Sequence, residues 1–250
     1  VHTFAAIYIG SYEVSMKIFE ISARKKIRTI DYIRSRIELG KDVFSRGSIG
    51  YELVEVLCNI LAEYKEIMEG YQIDSCEAYA AAVFRDAENE IFLIDQIRIR
   101  TGLVVKVLSN SEHRFISYKS VAMQEGFEHM IQKGAAVLDV DGSGLQITVF
   151  AEGKVVTTQH LALGTMKMRE QLARKSNNLA EYEHQIEELV EKELAVFQSM
   201  YLNGIRIKYL IIIGDYIQSI LGVSHSVLLS KTCPINASAF SGCFLIKAPA

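Results

Sequence analysis

Proline is scarce in this sequence and confined to one end: the only two, Pro234 and Pro249, lie beyond Asp215, after which neither Asp nor Glu occurs. Cysteine is nearly as rare, and Cys58, Cys76, Cys233 and Cys243 stand far apart. No close pair marks a zinc site, and a disulfide framework is not how a chain of this length holds together, so the four read as reduced thiols, mostly packing residues. An excess of charge of one sign is also missing. The formal net charge is −3 with both signs scattered along the chain, which leaves no electrostatic footprint for nucleic acid or an anionic membrane and no argument for a cationic substrate. No apolar run reaches the length of a membrane span, and the N-terminus lacks the basic and apolar segments of a signal peptide. These absences predict a cytoplasmic protein that binds neither nucleic acid nor membrane.

What is present is a globular composition. The chain has 250 residues, 50% hydrophobic and 23% charged, enough for one large domain or two of ordinary size. The most informative stretch is Gly134–Gly144, where four apolar residues lead into Asp139, a Gly-containing turn follows, and alternation resumes at Leu145, Ile147 and Val149. This reads as strand, tight turn, strand. Such a turn can hold phosphate, because glycine lets the backbone approach an anion with successive amides pointing inward, and a carboxylate at the strand end can hold magnesium. Taken alone, a plain hairpin with Gly and Asp in its turn is the commoner explanation.

Along the chain, Thr3–Ile9, Val14–Glu20 and Ile27–Leu39 predict an antiparallel meander of strands. From Ser48, a plausible N-cap, apolar residues recur with helical spacing to Met68, and Gly70 supplies the stop. Cys76–Val83 reads as a strand, Asn89–Arg100 as a helix, Leu103–Leu108 as a strand and Ser111–Gln132 as a helix. The pattern then restarts: Ala135–Val140, Leu145–Ala151 and Val155–Leu163 form a second meander, followed by a long helix, Leu179–Tyr201, and a strand, Ile207–Ile213. Two successive βββαβ runs predict a duplicated architecture, two similar lobes over residues 1–130 and 131–250 facing a cleft, with the two hairpin turns meeting a ligand from opposite sides. For the acid-free end two readings stay open. One is an ordinary C-terminus that completes the second sheet through Ser226–Leu229 or Phe244–Lys247; the other is a tail after about residue 220 that is atypical, through truncation or a change of reading frame.

Five stretches carry a resemblance. Phe4-Ala5-Ala6-Ile7-Tyr8-Ile9-Gly10-Ser11, the segment Ala80–Asn89 with Arg85, Val107-Leu108-Ser109-Asn110-Ser111-Glu112, the turn Asp139–Gly144, and Leu161-Ala162-Leu163-Gly164 resemble, in order and spacing, the exopolyphosphatase and guanosine pentaphosphate phosphatase (Ppx/GppA) family. The resemblance implies an α/β fold of two ribonuclease-H-like lobes, the plan of actin, the sugar kinases and the heat-shock chaperone ATPases, with a mixed five-stranded sheet and helices in each. It implies magnesium held at Asp139, phosphate contacts from Gly10, Ser11, Arg85, Gly142, Ser143 and Gly144, and Glu112 as the general base that deprotonates the water attacking the terminal phosphorus. Read without the resemblance, Glu112 is a solvated acid favoured near a helix N-terminus, and Arg85 is a surface partner for Asp86 or Glu88. His113 is set aside, since adjacent residues on a helix do not share a face.

The departures from the family pattern fall on the chemistry. The family's first turn begins with a metal-holding aspartate where this chain has Tyr8, whose neutral phenol is a poor ligand for a hard cation. Ala81 and Ala82 stand where the family usually has hydroxyl residues. In the second turn Asp139 is kept, but the first loop glycine is Asp141. Two unit charges about 5 Å apart at an effective dielectric near 20 repel by roughly 3 kcal/mol, which weakens phosphate binding about a hundredfold.

Three functions follow. The chain is a magnesium-dependent phosphohydrolase acting on polyphosphate or a guanosine polyphosphate; or a catalytically impaired relative that binds a phosphorylated nucleotide or a protein partner; or a structural or homodimerisation module of a longer regulatory protein, since family members usually continue past this region.

Overall fold

The computed structural model describes residues 2–23, 26–124, 126–172, 178–214 and 243–247. The chain divides into two compact units, Val1–His113 and Arg114–Ala250. The division falls inside the helix Asn110–Ala122, ahead of the boundary expected at residue 130.

In the first unit the expected meander forms. Strands β1 (His2–Ile9), β2 (Glu13–Ile21) and β3 (Ile27–Arg36) pair antiparallel, and the alternating residues Ala5, Ile7, Ile9, Val14, Met16 and Ile18 all face the core. The third strand is shorter than expected. Ile37 and Leu39 continue the period-two pattern, but Leu39 and Val43 are buried four residues apart, so the chain turns into helix α1 (Leu39–Arg46) after Arg36. Helix α2 (Tyr51–Gly70) buries Val54, Leu57, Cys58, Leu61, Tyr64 and Met68 as one stripe on the sheet. Its cap position is Gly50, not Ser48; the Gly50 N–H donates to the Asp42 carboxylate at 2.8 Å. Each fully buried Leu or Ile in this core contributes about 1.5–3 kcal/mol.

Strand β4 (Ser75–Ala80) runs parallel to β1 with Ile7 opposite Ala78. It ends three residues before the expected limit, where the short helix α3 (Ala82–Arg85) starts. Helix α4 (Glu90–Thr101) packs Leu93 and Ile97 into the same core, and β5 (Val105–Val107) pairs parallel with β4. The sheet order is β3-β2-β1-β4-β5.

The helix expected over Ser111–Gln132 is two helices, α5 (Asn110–Ala122) and α6 (Phe127–Lys133). Gly126 separates them at φ 83°, a left-handed conformation that an α-helix cannot contain. In the second unit β6 (Ala135–Val140), β7 (Leu145–Ala151) and β8 (Lys154–Leu161) form the second meander. Helix α7 (Thr165–Leu172) follows, unforeseen, and then α8 (Leu179–Tyr201), whose Asn178 side chain caps it by accepting the Glu181 N–H. Strand β9 (Tyr209–Gly214) is parallel to β6, and β10 (Cys243–Lys247) is antiparallel to β9. Of the two segments expected to complete the second sheet, this is Phe244–Lys247; Ser226–Leu229 lies outside the described residues.

Read from its meander edge, the second sheet is β8-β7-β6-β9-β10, the same plan as the first. Both are the mixed five-stranded sheets that the resemblance implied, and only the sense of the fifth strand differs, parallel for β5 and antiparallel for β10. Among the described residues no helix is long and apolar enough to cross a membrane.

Candidate phosphate site

In an α/β sheet, ligands bind outside the carboxyl ends of parallel strands. In the first unit those ends belong to β1, β4 and β5, and the backbone ties them together: Ala81 N–H donates to the Ile9 carbonyl at 3.3 Å, and Leu108 N–H to the Ala80 carbonyl at 2.9 Å. Gly10-Ser11, Ala81–Arg85 and Ser109–Glu112 therefore leave the sheet side by side. The first turn is closed by Gly10 N–H donating to Glu13 O (2.9 Å), and the buried Ser11 is pinned by its carbonyl, which accepts Gly40 N–H at 3.0 Å. Arg85 does not pair with Asp86 or Glu88. Its Nη1 donates to the Leu108 carbonyl at 2.5 Å, which carries the guanidinium from the end of β4 to the end of β5, and among the described residues it forms no ion pair.

Glu112 sits in the first turn of α5 and closes a capping box. Its Oε2 accepts from Ser109 N–H (2.9 Å) and Ser109 Oγ–H (2.7 Å), while its own N–H donates back to Ser109 Oγ at 3.2 Å. Both bonds favour the ionised form, so the side-chain and backbone donors of Ser109 hold the carboxyl below its ordinary pKa. Oε1 accepts no hydrogen bond among the described residues.

His113 turns the other way and meets Tyr8. Their rings stack at 6.3 Å with a 16° interplanar angle, and Nε2 lies 3.5 Å from the phenol oxygen. Tyr8 is register neighbour to Tyr79, and Tyr79 to Lys106, on the sheet face away from the core. Tyr79 donates its hydroxyl to Glu77, and Lys106 Nζ stands 3.5 Å from Glu77 Oε1 and over the Tyr79 ring. The phenol and the ammonium hold the Glu77 carboxyl low, and the same bond raises the phenol of Tyr79. Sequence reasoning set His113 aside and did not single out Tyr79, Glu77 and Lys106, which strand register, not local pattern, brings beside Tyr8.

In the second unit Asp139, near the end of β6, accepts a hydrogen bond from Ser117 Oγ on α5 at 2.7 Å. The Asp141 carboxylate folds back over its own turn. Oδ1 accepts from Ser143 N–H (2.6 Å), Ser143 Oγ–H (2.7 Å) and Gly144 N–H (2.7 Å). The N-terminus of α7 fastens the other side of this turn: Thr165 N–H donates to the Asp141 carbonyl at 3.1 Å and Lys167 N–H to the Gly142 carbonyl at 3.0 Å. Gly164 makes this approach possible, since a Cβ there would lie 2.1 Å from the Ser143 carbonyl carbon and 2.4 Å from Gly142 O. This gives the Leu161–Gly164 stretch a physical reason that its sequence did not disclose.

Among the described residues the side chains build no closed cage for a magnesium ion. Magnesium is usually held by one or two protein carboxylates together with substrate phosphates. Here Tyr8 offers a phenol, Asp139 is engaged by Ser117, and Asp141 is committed to its own turn. Among the described residues no group of three or more His, Cys, Asp and Glu is placed to hold a metal.

A duplicated βββαβ sheet plan with glycine turns at the carboxyl ends of its strands defines an α/β protein of two like-built units. The sequence profile of the Ppx/GppA phosphatase family matches residues 17–217, and the chain belongs to that family. The match begins at Lys17, beyond the turn that Tyr8 precedes. Solved structures of similar fold include a Ppx/GppA family member from Aquifex aeolicus, with TM-score 0.59 and 24% identity, covering 78% of this chain and 62% of that one. An exopolyphosphatase from Cytophaga hutchinsonii matches with TM-score 0.58 and 17% identity over 68% of this chain and 53% of that one. An exopolyphosphatase-like protein gives TM-score 0.68 and 20% identity over 85% and 65%. The chain thus spans about two thirds of the length of these proteins or less. No curated protein sequence matches it.

Proposed function

We propose that the chain is a phosphohydrolase of the Ppx/GppA type that releases terminal phosphate from inorganic polyphosphate or guanosine pentaphosphate. Gly10, Ser11 and Arg85 in the first unit, and Gly142, Ser143 and Gly144 in the second, are the phosphate-contacting residues, with Asp139 the retained carboxylate of the second turn. Glu112 is the general base. The observation that carries this reading is the placing of Arg85 and Glu112 at adjacent strand ends, one guanidinium and one fixed carboxylate beside the Gly10-Ser11 turn.

In the step that follows, water attacks the terminal phosphorus, its proton passes to Glu112 Oε1, and the bond from phosphorus to the bridging oxygen breaks with the electron pair leaving on the shortened chain. Phosphoryl transfer depends chiefly on positioning and on charge stabilisation of the transferring group. Arg85, with one of its five donors spent on Leu108, supplies the planar fork suited to phosphate oxygens. A carboxylate held below its ordinary pKa is ionised at neutral pH and so able to accept the proton of the attacking water.

The test is release of inorganic phosphate from long-chain polyphosphate and from guanosine pentaphosphate by the chain, by Glu112→Gln and by Ser109→Ala. Loss in Glu112→Gln with retention in Ser109→Ala supports a base; equal loss in both reduces Glu112 to a helix cap. Absence of release from every protein, with nucleotide binding seen by calorimetry, assigns the chain to binding without turnover.

A further inference from the structure

The amides of the turn in the second unit are already occupied. Ser143 and Gly144 are buried, and both direct their N–H groups at Asp141 Oδ1, joined there by the Ser143 hydroxyl. Adjacent amides converging on one oxygen form an anion-binding concavity, and bonds to an ionised acceptor are the stronger kind. The backbone is clamped from behind by Thr165 and Lys167 amides and by the close approach of Gly164. The donors therefore keep their aim whatever the Asp141 side chain does. That side chain is only half-buried, so rotation about its Cα–Cβ bond takes it to solvent.

We propose that Asp141 is a built-in competitor for phosphate: its carboxylate occupies the Ser143 and Gly144 amides that a phosphate group of the ligand would use, and a phosphate enters this turn only by displacing it. This rests on the functional reading above and adds to it the residue that sets anion affinity at this turn. The physical argument is one of exchange. A buried amide without an acceptor is costly, so the carboxylate leaves only as another anion arrives, and the ligand gains the difference between two anions instead of the full value of the donors. Asp141→Asn keeps the accepting oxygen but removes the charge; Asp141→Gly removes the competitor altogether.

The experiment uses the full chain, Asp141→Asn and Asp141→Gly, with inorganic tripolyphosphate as probe. Affinity is read by calorimetry, and the backbone amide resonances of Ser11, Arg85, Ser143 and Gly144 are followed by NMR. Asp141→Asn should bind at least tenfold more tightly than the natural chain and Asp141→Gly more tightly still, with the Ser143 and Gly144 resonances moving at lower probe concentration in both variants. The asparagine variant keeps the turn's bonding, so a glycine variant that fails to fold leaves the comparison intact. Equal affinity in the natural chain and Asp141→Asn, with Ser143 and Gly144 moving equally in both, overturns the proposal and leaves the functional reading standing. Movement of Ser11 and Arg85 in every protein, with Ser143 and Gly144 still in all, also overturns the proposal and strikes the second-turn contacts from the functional reading, leaving its first-unit part. No binding and no movement anywhere overturns both.

Discussion

Ser109 and Glu112 cap one another, each accepting a hydrogen bond from the other across the first turn of α5. The same carboxylate is the proposed general base, so capping and catalysis draw on one residue. Ser109→Ala should destabilise the fold by about 1 kcal/mol, the ordinary value of an N-cap, as measured by urea denaturation at neutral pH. The pH dependence follows from the sign of the shift. Glu112 has a lowered pKa in the folded chain, so its contribution is complete above the unfolded carboxyl value of roughly 4.3 and is lost as pH falls through the lower folded value. The difference between Ser109→Ala and the natural chain should narrow across that acidic window; a difference that stays constant to pH 2 would show that the carboxylate takes no part.

Tyr64 fixes α2 to the first sheet. It is 1% exposed, and its hydroxyl donates to the Val14 carbonyl at 2.8 Å and meets Ser35 Oγ at 3.0 Å. Tyr64→Phe keeps the ring and strands the partners, so a loss of about 1–2 kcal/mol is expected in chemical denaturation. Burial raises the phenol's pKa, and for a raised group stability is complete below the unfolded value, roughly 10, and lost as pH rises beyond it. Tyr64→Phe should therefore remove part of the alkaline loss of stability.

The duplicated plan was legible because both meanders carry period-two alternation between short turns, and Ala135–Val140, Leu145–Ala151 and Leu179–Tyr201 occur with the bounds expected. Legibility failed where two periods overlap. Ile37 and Leu39 continue a strand pattern while Leu39 and Val43 satisfy a helical one, and burial of Val43 decides for α1. It failed again at α7, whose length and polar character give little periodic signal. At the site, the types and order of residues were readable, including the added charge at Asp141. The direction of that charge was not: the sequence predicts repulsion of an incoming anion, whereas in the structure the carboxylate satisfies the turn's own amides. Likewise Ser109-Asn110-Ser111-Glu112 has the spacing of a capping box, a signature visible in sequence that the catalytic reading of Glu112 overshadowed.

Cys58 and Cys76 should be slow to alkylate. Cys58 is buried, and desolvation raises both thiols, that of Cys76 to about 11. Because the thiolate is the reactive form, iodoacetamide at pH 8 should label the peptides carrying these residues at least tenfold more slowly than an unfolded control, by peptide mass spectrometry. Rapid labelling of Cys76 in the native chain would contradict its partly buried, desolvated place in β4.

Arg85 distinguishes a phosphate contact from a structural one. Arg85→Ala removes both the Leu108 bond and the proposed phosphate fork, whereas Arg85→Lys keeps a cation but not the planar geometry. If Arg85 grips phosphate, kcat/KM for polyphosphate should fall at least tenfold in the lysine variant while its denaturation midpoint stays near that of the natural chain. Equal loss of stability and activity in both variants would assign the residue to bracing the end of β5.

The two glycines at the second turn should respond differently to alanine. At Gly164 the added carbon meets backbone, the Ser143 carbonyl carbon at 2.1 Å and Gly142 O at 2.4 Å, and neither can move without undoing the bonds that Thr165 and Lys167 make to the turn. At Gly144 it meets chiefly the His160 ring at 2.2 Å, a side chain on the edge strand β8 that can rotate away, though Leu161 O lies at 3.0 Å. Gly164→Ala should therefore cost about 3 kcal/mol, the upper range for overpacking, and Gly144→Ala about 1 kcal/mol. Adding His160→Ala should recover most of the second loss and none of the first, since relief depends on whether the obstructing atoms belong to a side chain or to the turn itself. Recovery of Gly164→Ala by His160→Ala would mean that the close approach of α7 to the turn is wrong.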